Sequence, residues 1–322
     1  MPFRLSCLVL LMLAALCAPA GAQDYPSRPI RWVVPFPPGG PTDTLSRILA
    51  ARLGDVWKAG IVIENKGGAA GAIGTDFAAK AAPDGYTIQL GTQSTNGSNK
   101  IFYPNLPYDP IKSFTPVAIL ASGPNVLVVN PDLPVHSVGE LIALAKAKPE
   151  QVNFASSGNG SVPHMCGELI NLQAGVKMTH VPYKGGAQAM NDVMSGTVEL
   201  YCGSIPSLIG FAQSGKITLL GVTSPKRSAL LPDLPTLEEQ GLHGVDVDSW
   251  VGLHAPGGTP PATIDKLYGQ IAKLMTTDDV RRVFLAQGAV PEALPPAEFG
   301  AKVREESDRW APVVKASGAT LD

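Results

Sequence analysis

The amino-acid sequence predicts an α/β protein with two lobes and a ligand cleft between them. Three observations support this prediction: strand-like apolar runs alternate with helical patterns, two extended stretches have the character of crossings between lobes, and glycine-rich loops join strands to helices. Alternation of strands and helices is typical of βαβ units in a parallel sheet. In open sheets of this kind, ligands bind in a cleft beyond the ends of the strands.

The N-terminus has the pattern of a secretory signal peptide over residues 1–22. Arg4 precedes an apolar run, Leu5–Ala18, and the small residues Ala20-Gly21-Ala22 form a cleavage site. The run is too short for a membrane span, and no later stretch reaches about 18 apolar residues. Cys17 does not follow a small residue, which argues against a lipid anchor. The sequence therefore predicts a free periplasmic protein.

Composition limits the partners and the number of domains. Charged residues make up 16% of the chain and the formal net charge is −2, so no basic patch supports nucleic-acid binding. At about 100–200 residues per domain, the length suggests two domains. Outside the signal peptide the cysteines are Cys166 and Cys202, in an oxidising compartment. They form a disulfide or serve as two buried thiols, and their spacing leaves both possibilities open.

The first half of the chain alternates strand and helix. A strand is predicted at Ile30–Phe36, and the apolar residues Leu45, Ile48, Leu49 and Leu53 then share one face of a helix. The next predicted elements are a strand at Ile61–Ile63, a helix at Ile73–Ala82, a strand at Tyr86–Leu90 and a long extended segment at Val117–Val129. Ser137 and Glu140 have capping-box spacing and predict a helix start.

The second half continues the same alternation and ends in helices. Strands are predicted at Val152–Ala155, Thr179–Tyr183, Val198–Tyr201, Ile217–Val222 and Val247–His254. Periodic apolar residues predict helices at Ile264–Met275, Val280–Ala286 and Ala297–Val314.

Two extended stretches without helix signals, Leu120–Val129 and Asp246–Ala255, are predicted to cross between the lobes. A chain that leaves one lobe, builds the second and returns has a hinge made of two strands. This organisation predicts a discontinuous first lobe, residues 24–123 plus 249–322, and a second lobe, residues 124–248.

The loop Pro35–Asp43 follows a strand and opens a helix. The start of a helix presents unpaired N–H groups and a partial positive charge, which suit an anion. Gly39 and Gly40 allow the backbone to approach a ligand closely, and Thr42 or Asp43 is expected to cap the helix. An ordinary strand-to-helix turn with a cap is the alternative interpretation.

Two further loops have the same character. Gly67–Gly74 is rich in glycine but has no G-x-G-x-x-G register, which argues against a dinucleotide site. Ala155–His164 joins a strand to a helix, and its Ser161 is placed to cap the helix or to donate to a carboxylate. His164 in the first turn fits a local hydrogen-bonding or packing role better than that of a base.

Signals for catalysis, metals and cofactors are weak. Gly210, Gly215 and Lys216 resemble the start of a phosphate-binding P-loop, but Ile217 stands where a magnesium-binding hydroxyl is required. The loop Ala155–His164 has no G-x-S-x-G elbow of a hydrolase. The histidines outside the signal peptide show no short metal-ligand spacing. The sequence predicts binding without a cofactor or metal.

Several ordered motifs resemble the substrate-binding proteins of tripartite tricarboxylate transporters, also called Bug receptors. The motifs are Tyr25–Ile30, Pro35–Asp43, Pro83–Thr87, Leu106–Asp109, His180–Gly185 and Leu231–Thr236. The resemblance implies a type II periplasmic-binding-protein fold and a carboxylate held by loop N–H groups and ordered waters. It carries over a set of ligand-binding residues: Phe36, Gly39, Gly40, Asp43, Gly71, Ser94, Thr95, Ser157, Gly160, Ser161 and His164.

One triplet departs from the pattern of this family. The strand at the ligand wall of the second lobe usually carries a Met-Phe-Asp-like triplet, whereas here it reads Tyr201-Cys202-Gly203. We therefore count Gly203 among the predicted ligand-site residues, with the acidic side chain missing. The expected ligand lacks a cationic group, and a dicarboxylate or an aromatic carboxylate is favoured.

The resemblance implies a monomeric receptor that delivers its ligand to the membrane permease subunits of a transporter. Two alternatives remain open at this point. A sensory protein would use the same lobe closure to signal to a membrane kinase. A secreted enzyme would use His164 with Ser161 or Asp43, although nothing in the sequence joins a nucleophile, a base and an orienting group.

Overall fold

The computed structural model describes residues 25–103, 105–287 and 289–317, so the predicted signal peptide lies outside the described residues. The strands are β1 Ile30–Val34, β2 Ile61–Asn65, β3 Thr87–Thr92, β4 Phe114–Val129, β5 Asn153–Ser156, β6 Thr179–Pro182, β7 Leu200–Ser204, β8 Thr218–Val222, β9 Asp248–Pro256 and β10 Val290–Leu294. The helices are α1 Pro41–Trp57, α2 Ala72–Ala79, α3 Asn99–Phe102, α4 Val138–Ala147, α5 Val162–Ala174, α6 Gly186–Met194, α7 Ile205–Gln213, α8 Pro261–Met275, α9 Asp278–Ala286 and α10 Pro296–Ser317.

A curled sheet with the strand order β2-β1-β3-β9-β4-β7-β5-β6 runs through the molecule, and β8 and β10 also pair with β4. The pairs β1–β2, β1–β3, β5–β6 and β5–β7 are parallel. The pairs of β4 with β7, β8, β9 and β10 are antiparallel. Two parallel regions thus flank a central antiparallel region, and the predicted α/β class is confirmed.

Strand β4 extends through both regions of the sheet. Its first part pairs with β9 and β10, and its last residues, from Asn125 to Val129, pair with β7 and β8. At the changeover Gly123 lies opposite Ser249, and Asn125 Nδ2 donates to Val247 O at 2.8 Å. The two chain segments that join the regions are therefore fixed side by side.

Apolar residues form a core on each side of this junction. The first core contains the helical face predicted from the sequence, with Leu45, Leu49 and Leu53 at most 3% exposed, packed with Ile88 of β3. The second core packs α4 and α5 onto β4, β5 and β7. Within it a disulfide joins Cys166 of α5 to Cys202 of β7, with the Cα atoms 6.3 Å apart.

The C-terminal helix α10 contacts the junction and the second core. Phe299 packs edge-to-face on Trp250 at the junction, whereas Trp310 belongs to the second core. Arg309 Nη1 lies 3.8 Å from Asp246 Oδ2 at the second segment that joins the regions. Trp310 packs within the second core, and the division into a first lobe of residues 24–123 plus 249–322 and a second lobe of residues 124–248 stays a prediction.

Candidate functional site

A cavity of about 300 Å³ lies between the two sides of the molecule, and this cavity is called the donor cleft below. Four predicted ligand-site residues line it together: Phe36, Ser94, Ser157 and Ser161. Other residues that line it are Thr92, Gln93, Asn159, Val162, Pro163, Ser249, Trp250 and Val251. Among the described residues the lining contains no charged side chain.

The remaining predicted residues lie outside the lining of the donor cleft as far as the structure describes it. They are Gly39, Gly40, Asp43, Gly71, Thr95, Gly160, His164 and Gly203. Most of them hold or shape the loops that carry the lining residues, as their hydrogen bonds and close contacts show. Their direct contact with a ligand stays a prediction.

Asp43 holds the loop that carries Phe36. Its Oδ2 accepts hydrogen bonds from Gly39 N and Arg47 Nε, both at 2.9 Å, and its Oδ1 accepts from Asn65 Nδ2 at 2.9 Å. Asn65 Nδ2 also donates to Phe36 O at 3.1 Å. Burial opposes ionisation of this carboxyl, but the hydrogen bonds outweigh it and lower the pKa of Asp43 to about 2. Asp43 is thus a positioning residue that is ionised at physiological pH.

The expected cap of α1 was assigned to the wrong residue. The N-cap is Gly40, in extended conformation and without a side-chain cap, and Pro41 occupies the first helical position. Asp43 reaches back to Gly39 N instead of capping the helix. Thr44 N donates to Gly40 O at 3.0 Å. The N–H of Thr42 comes earlier in the first turn, where a helix has no acceptor for it, so it lacks an intrahelical partner.

Gly71 and Thr95 shape the wall behind Phe36. Gly71 has φ of 86°, and a Cβ atom there would lie 2.6 Å from Thr95 Cγ2 and 3.5 Å from the Phe36 ring. Only glycine combines this backbone conformation with such a close approach. Thr95 N donates to Thr92 Oγ1 at 3.2 Å, and Thr92 N donates to Thr95 Oγ1 at 2.9 Å. This reciprocal cap fixes the start of the next segment.

That segment, Gln93–Ser98, is a single π-helical turn, a rare element that occurs frequently at functional sites. The wider turn places Gln93 and Ser94 on the donor cleft. Gln93 Oε1 is buried and has no hydrogen-bond partner within the described residues. A buried polar atom of this kind is available to a ligand donor or an ordered water.

In the second lobe, His164 holds the loop that carries Ser161. Gly160 N donates to His164 Nδ1 at 3.1 Å, and His164 is 2% exposed. Its ring stacks on that of His180 with the centroids 3.9 Å apart. Burial, with the neighbouring His164, lowers the pKa of His180 to about 3, so His180 is neutral at physiological pH. His164 therefore has the local hydrogen-bonding and packing role that the sequence favours.

The serines of this loop are also partly engaged. Ser161 is the N-cap of α5, but its hydroxyl donates to Gly158 O at 2.6 Å instead of capping the helix. Ser157 Oγ lies 3.0 Å from the Tyr201 hydroxyl. Burial raises the pKa of Tyr201, which keeps its proton. When Tyr201 donates to Ser157, the Ser157 hydroxyl can donate into the donor cleft.

The ring of Tyr201 explains the glycine at position 203. A Cβ atom on Gly203 would lie 2.4 Å from Tyr201 Cε1 and 3.4 Å from Leu208 Cδ1. The ring therefore occupies the space that a side chain at position 203 would need. The sequence shows the glycine, but not that an aromatic ring two residues earlier fills the space beside it.

Sequence reasoning missed the floor of the donor cleft. Ser249, Trp250 and Val251 begin β9, within a predicted crossing segment. A strand that crosses between lobes lies at the base of any cleft between them. The predicted crossing segment could therefore have been used to predict these lining residues.

One sheet continues through two lobes, two segments join the lobes, and helix starts from both sides line the cleft. These features define a periplasmic solute-binding protein of the two-lobed class. The profile of the "tripartite tricarboxylate transporter family receptor" matches residues 45–319. The chain belongs to this family of solute-binding receptors.

Relatives and solved structures agree with that membership. Protein BugT of Bordetella pertussis is 38% identical over 309 residues, which cover 96% of this chain and 95% of that protein. A solved R. palustris protein with adipate is 37% identical, with a TM-score of 0.84 over 92% of this chain and 100% of that one. MatC from Rhodopseudomonas palustris with bound malate is 34% identical, with a TM-score of 0.80 over 90% and 100%.

Proposed function

We propose that this protein captures a small organic carboxylate in the donor cleft and delivers it to the membrane permease subunits of a tripartite transporter. The observation that carries the proposal is one cavity lined by hydrogen-bond donors from both lobes. Ser94 contributes from one side, and Ser157 and Asn159 contribute from the other. The N–H of Val162, in the first turn of α5, adds a donor that a helix leaves unpaired.

Hydroxyl and N–H donors at helix starts match a carboxylate. A hydrogen bond to a charged group contributes about 1.5–3 kcal/mol, more than one between neutral groups. The solved relatives with adipate and with malate support the same class of ligand. Closure of the two lobes over the ligand would link its binding to docking on the permease.

The ligand we propose has no cationic group. An ammonium would need an acidic partner, and the acidic residue that the family pattern places at position 203 is replaced by glycine, with the Tyr201 ring in its space. A dicarboxylate or an aromatic carboxylate should bind better than an amino acid, because the described lining of the donor cleft has no acidic side chain for an ammonium.

We also propose a binding role without catalysis. Ser156 Oγ lies 2.6 Å from His180 Nε2, a hydroxyl beside an imidazole. Ser156 is fully buried, and the pKa of His180 is lowered to about 3, so the imidazole is a poor proton acceptor. The lining of the donor cleft, as described, contains neither residue.

The proposed location is the periplasm, as a monomer. No helix of the described chain is both long and apolar enough to cross a membrane. The periplasmic solute-binding family and the signal-peptide pattern support this location.

Calorimetric titration of the purified protein tests the proposal. Succinate and aspartate form a matched pair that differs by one amino group, and we expect succinate to bind more tightly. Ser94→Ala and Ser157→Ala should each weaken binding by about tenfold or more, because each removes a hydrogen bond to a charged group. Ser214→Ala, at the exposed C-cap of α7, is the matched control.

Native mass spectrometry of protein purified without denaturation would weigh a retained ligand directly. Wild-type affinity in both serine variants would refute the role of the donor cleft. Chemical turnover of a bound carboxylate, followed by NMR, would refute the receptor role.

A further inference from the structure

A second cavity of about 200 Å³ adjoins the donor cleft, and this cavity is called the side chamber below. Both cavities contact Ser249, Trp250 and Val251, so they adjoin along the start of β9. Trp250 is 2% exposed and packs against Phe299, which makes this common floor rigid. The side chamber is far larger than the ~10–15 Å³ that one water requires.

The side chamber is lined by both lobes, mainly by apolar side chains. The apolar residues include Leu45, Ala121, Ile205, Leu230, Ala289 and Val290. No charged side chain belongs to the lining in the described part of the chain. Val290 is 42% exposed although it is a large aliphatic residue. An apolar chamber with exposed aliphatic groups gains free energy when an apolar group fills it.

Several polar groups of the side chamber are already engaged by the protein. Ser204 Oγ lies 3.1 Å from Ser207 Oγ, Ser228 Oγ accepts from Leu230 N at 3.2 Å, and Ser249 Oγ donates to Asn125 Oδ1 at 3.0 Å. These bonds reduce the capacity of the chamber to hold a polar group. The chemistry of the chamber therefore differs from that of the donor cleft beside it.

We propose that the side chamber binds the apolar body of an elongated carboxylate whose carboxylate group lies in the donor cleft. The protein then selects carboxylates with a long apolar chain over compact ones such as malate or butanoate. This inference rests on the proposed function and adds the class of ligand that the site prefers.

A series of ligands tests the inference by calorimetry. Each buried methylene tightens binding by about fourfold, so hexanoate, with two more methylenes, should bind roughly fifteenfold more tightly than butanoate. Butanoate reports on the donor cleft alone.

Two variants on opposite lobes change the side chamber. Ala289→Phe fills it from the first lobe, and Leu230→Asn makes it polar from the second; both residues are half-buried. Each should reduce the preference for hexanoate over butanoate to less than threefold, with butanoate affinity retained. Ala286→Phe, an exposed position on α9 outside the chamber lining, is the matched control and should keep the full preference.

The outcomes separate this inference from the proposed function. Equal affinity of the wild type for butanoate and hexanoate overturns the role of the side chamber, while binding of both still supports a carboxylate receptor. An unchanged preference in both chamber variants, with folding verified by circular dichroism, also overturns it. Failure of every carboxylate to bind overturns the proposed function itself.

Discussion

Replacement of Asp43 by asparagine should destabilise the protein by an amount that the structure allows us to work out. The Asp43 side chain is 4% exposed and accepts three hydrogen bonds, from Gly39, Arg47 and Asn65. A carboxyl whose pKa is lowered from 3.8 to about 2 contributes about 2–3 kcal/mol to the free energy of unfolding at neutral pH. An asparagine amide would also turn a donor toward at least one of these three donors.

The pH dependence of this effect has a definite sign. The folded-state pKa lies below the unfolded value, so the contribution is complete above about pH 5 and is lost as the pH falls toward 2. Urea denaturation at pH 7 should show Asp43→Asn to be about 2–3 kcal/mol less stable than the wild type. At pH 3 the difference should be roughly half as large.

Asp55→Asn is the matched control, because Asp55 lies on the same helix and its side chain is 70% exposed. Exposed substitutions of this kind usually change stability by no more than about 0.5 kcal/mol. A loss below that value in Asp43→Asn, or a loss that does not shrink at pH 3, would refute the positioning role of Asp43.

Three further predictions concern the second lobe. The pKa of His180 is lowered from 6.5 to about 3 by burial and by the adjacent histidine, so the free energy of unfolding should fall as the pH drops below 6.5. Between pH 7 and pH 5 the urea midpoint of His180→Gln should therefore decline less steeply than that of the wild type. Replacing Cys166 and Cys202 together by alanine should cost about 3–4 kcal/mol, because the disulfide closes a loop with a sequence separation of 36; dithiothreitol should then shift the midpoint of the wild type but not of the variant. Gly203→Ala should displace the Tyr201 ring and weaken carboxylate binding in calorimetry, and an unchanged dissociation constant would contradict this.

Local patterns in the sequence determined most of the secondary structure. The spacing of Leu45, Leu49 and Leu53 predicts a buried helical face, and all three are buried in α1. Ser137 predicts the start of a helix, and its Oγ accepts from Glu140 N at 3.2 Å. These signals are reliable because periodicity and capping depend on residues within a few positions of each other in the chain.

The partners of polar groups depended on the tertiary structure. Asp43 is a plausible cap by sequence, but Asn65, which lies in strand β2, donates to its Oδ1. His164 is stacked on His180, a neighbour that lies in another strand. Burial forces such groups to find hydrogen bonds wherever the fold supplies them, and no local pattern specifies that supply.

The sequence by itself determined the α/β class, the family, and Phe36, Ser94, Ser157 and Ser161 of the donor-cleft lining. Only the tertiary structure decided that Trp250 and its neighbours form the floor, that the Tyr201 ring replaces a side chain at position 203, and that an apolar chamber adjoins the cleft. The physical reason is that motifs record local backbone geometry, whereas a cavity is the space left between elements far apart in the chain.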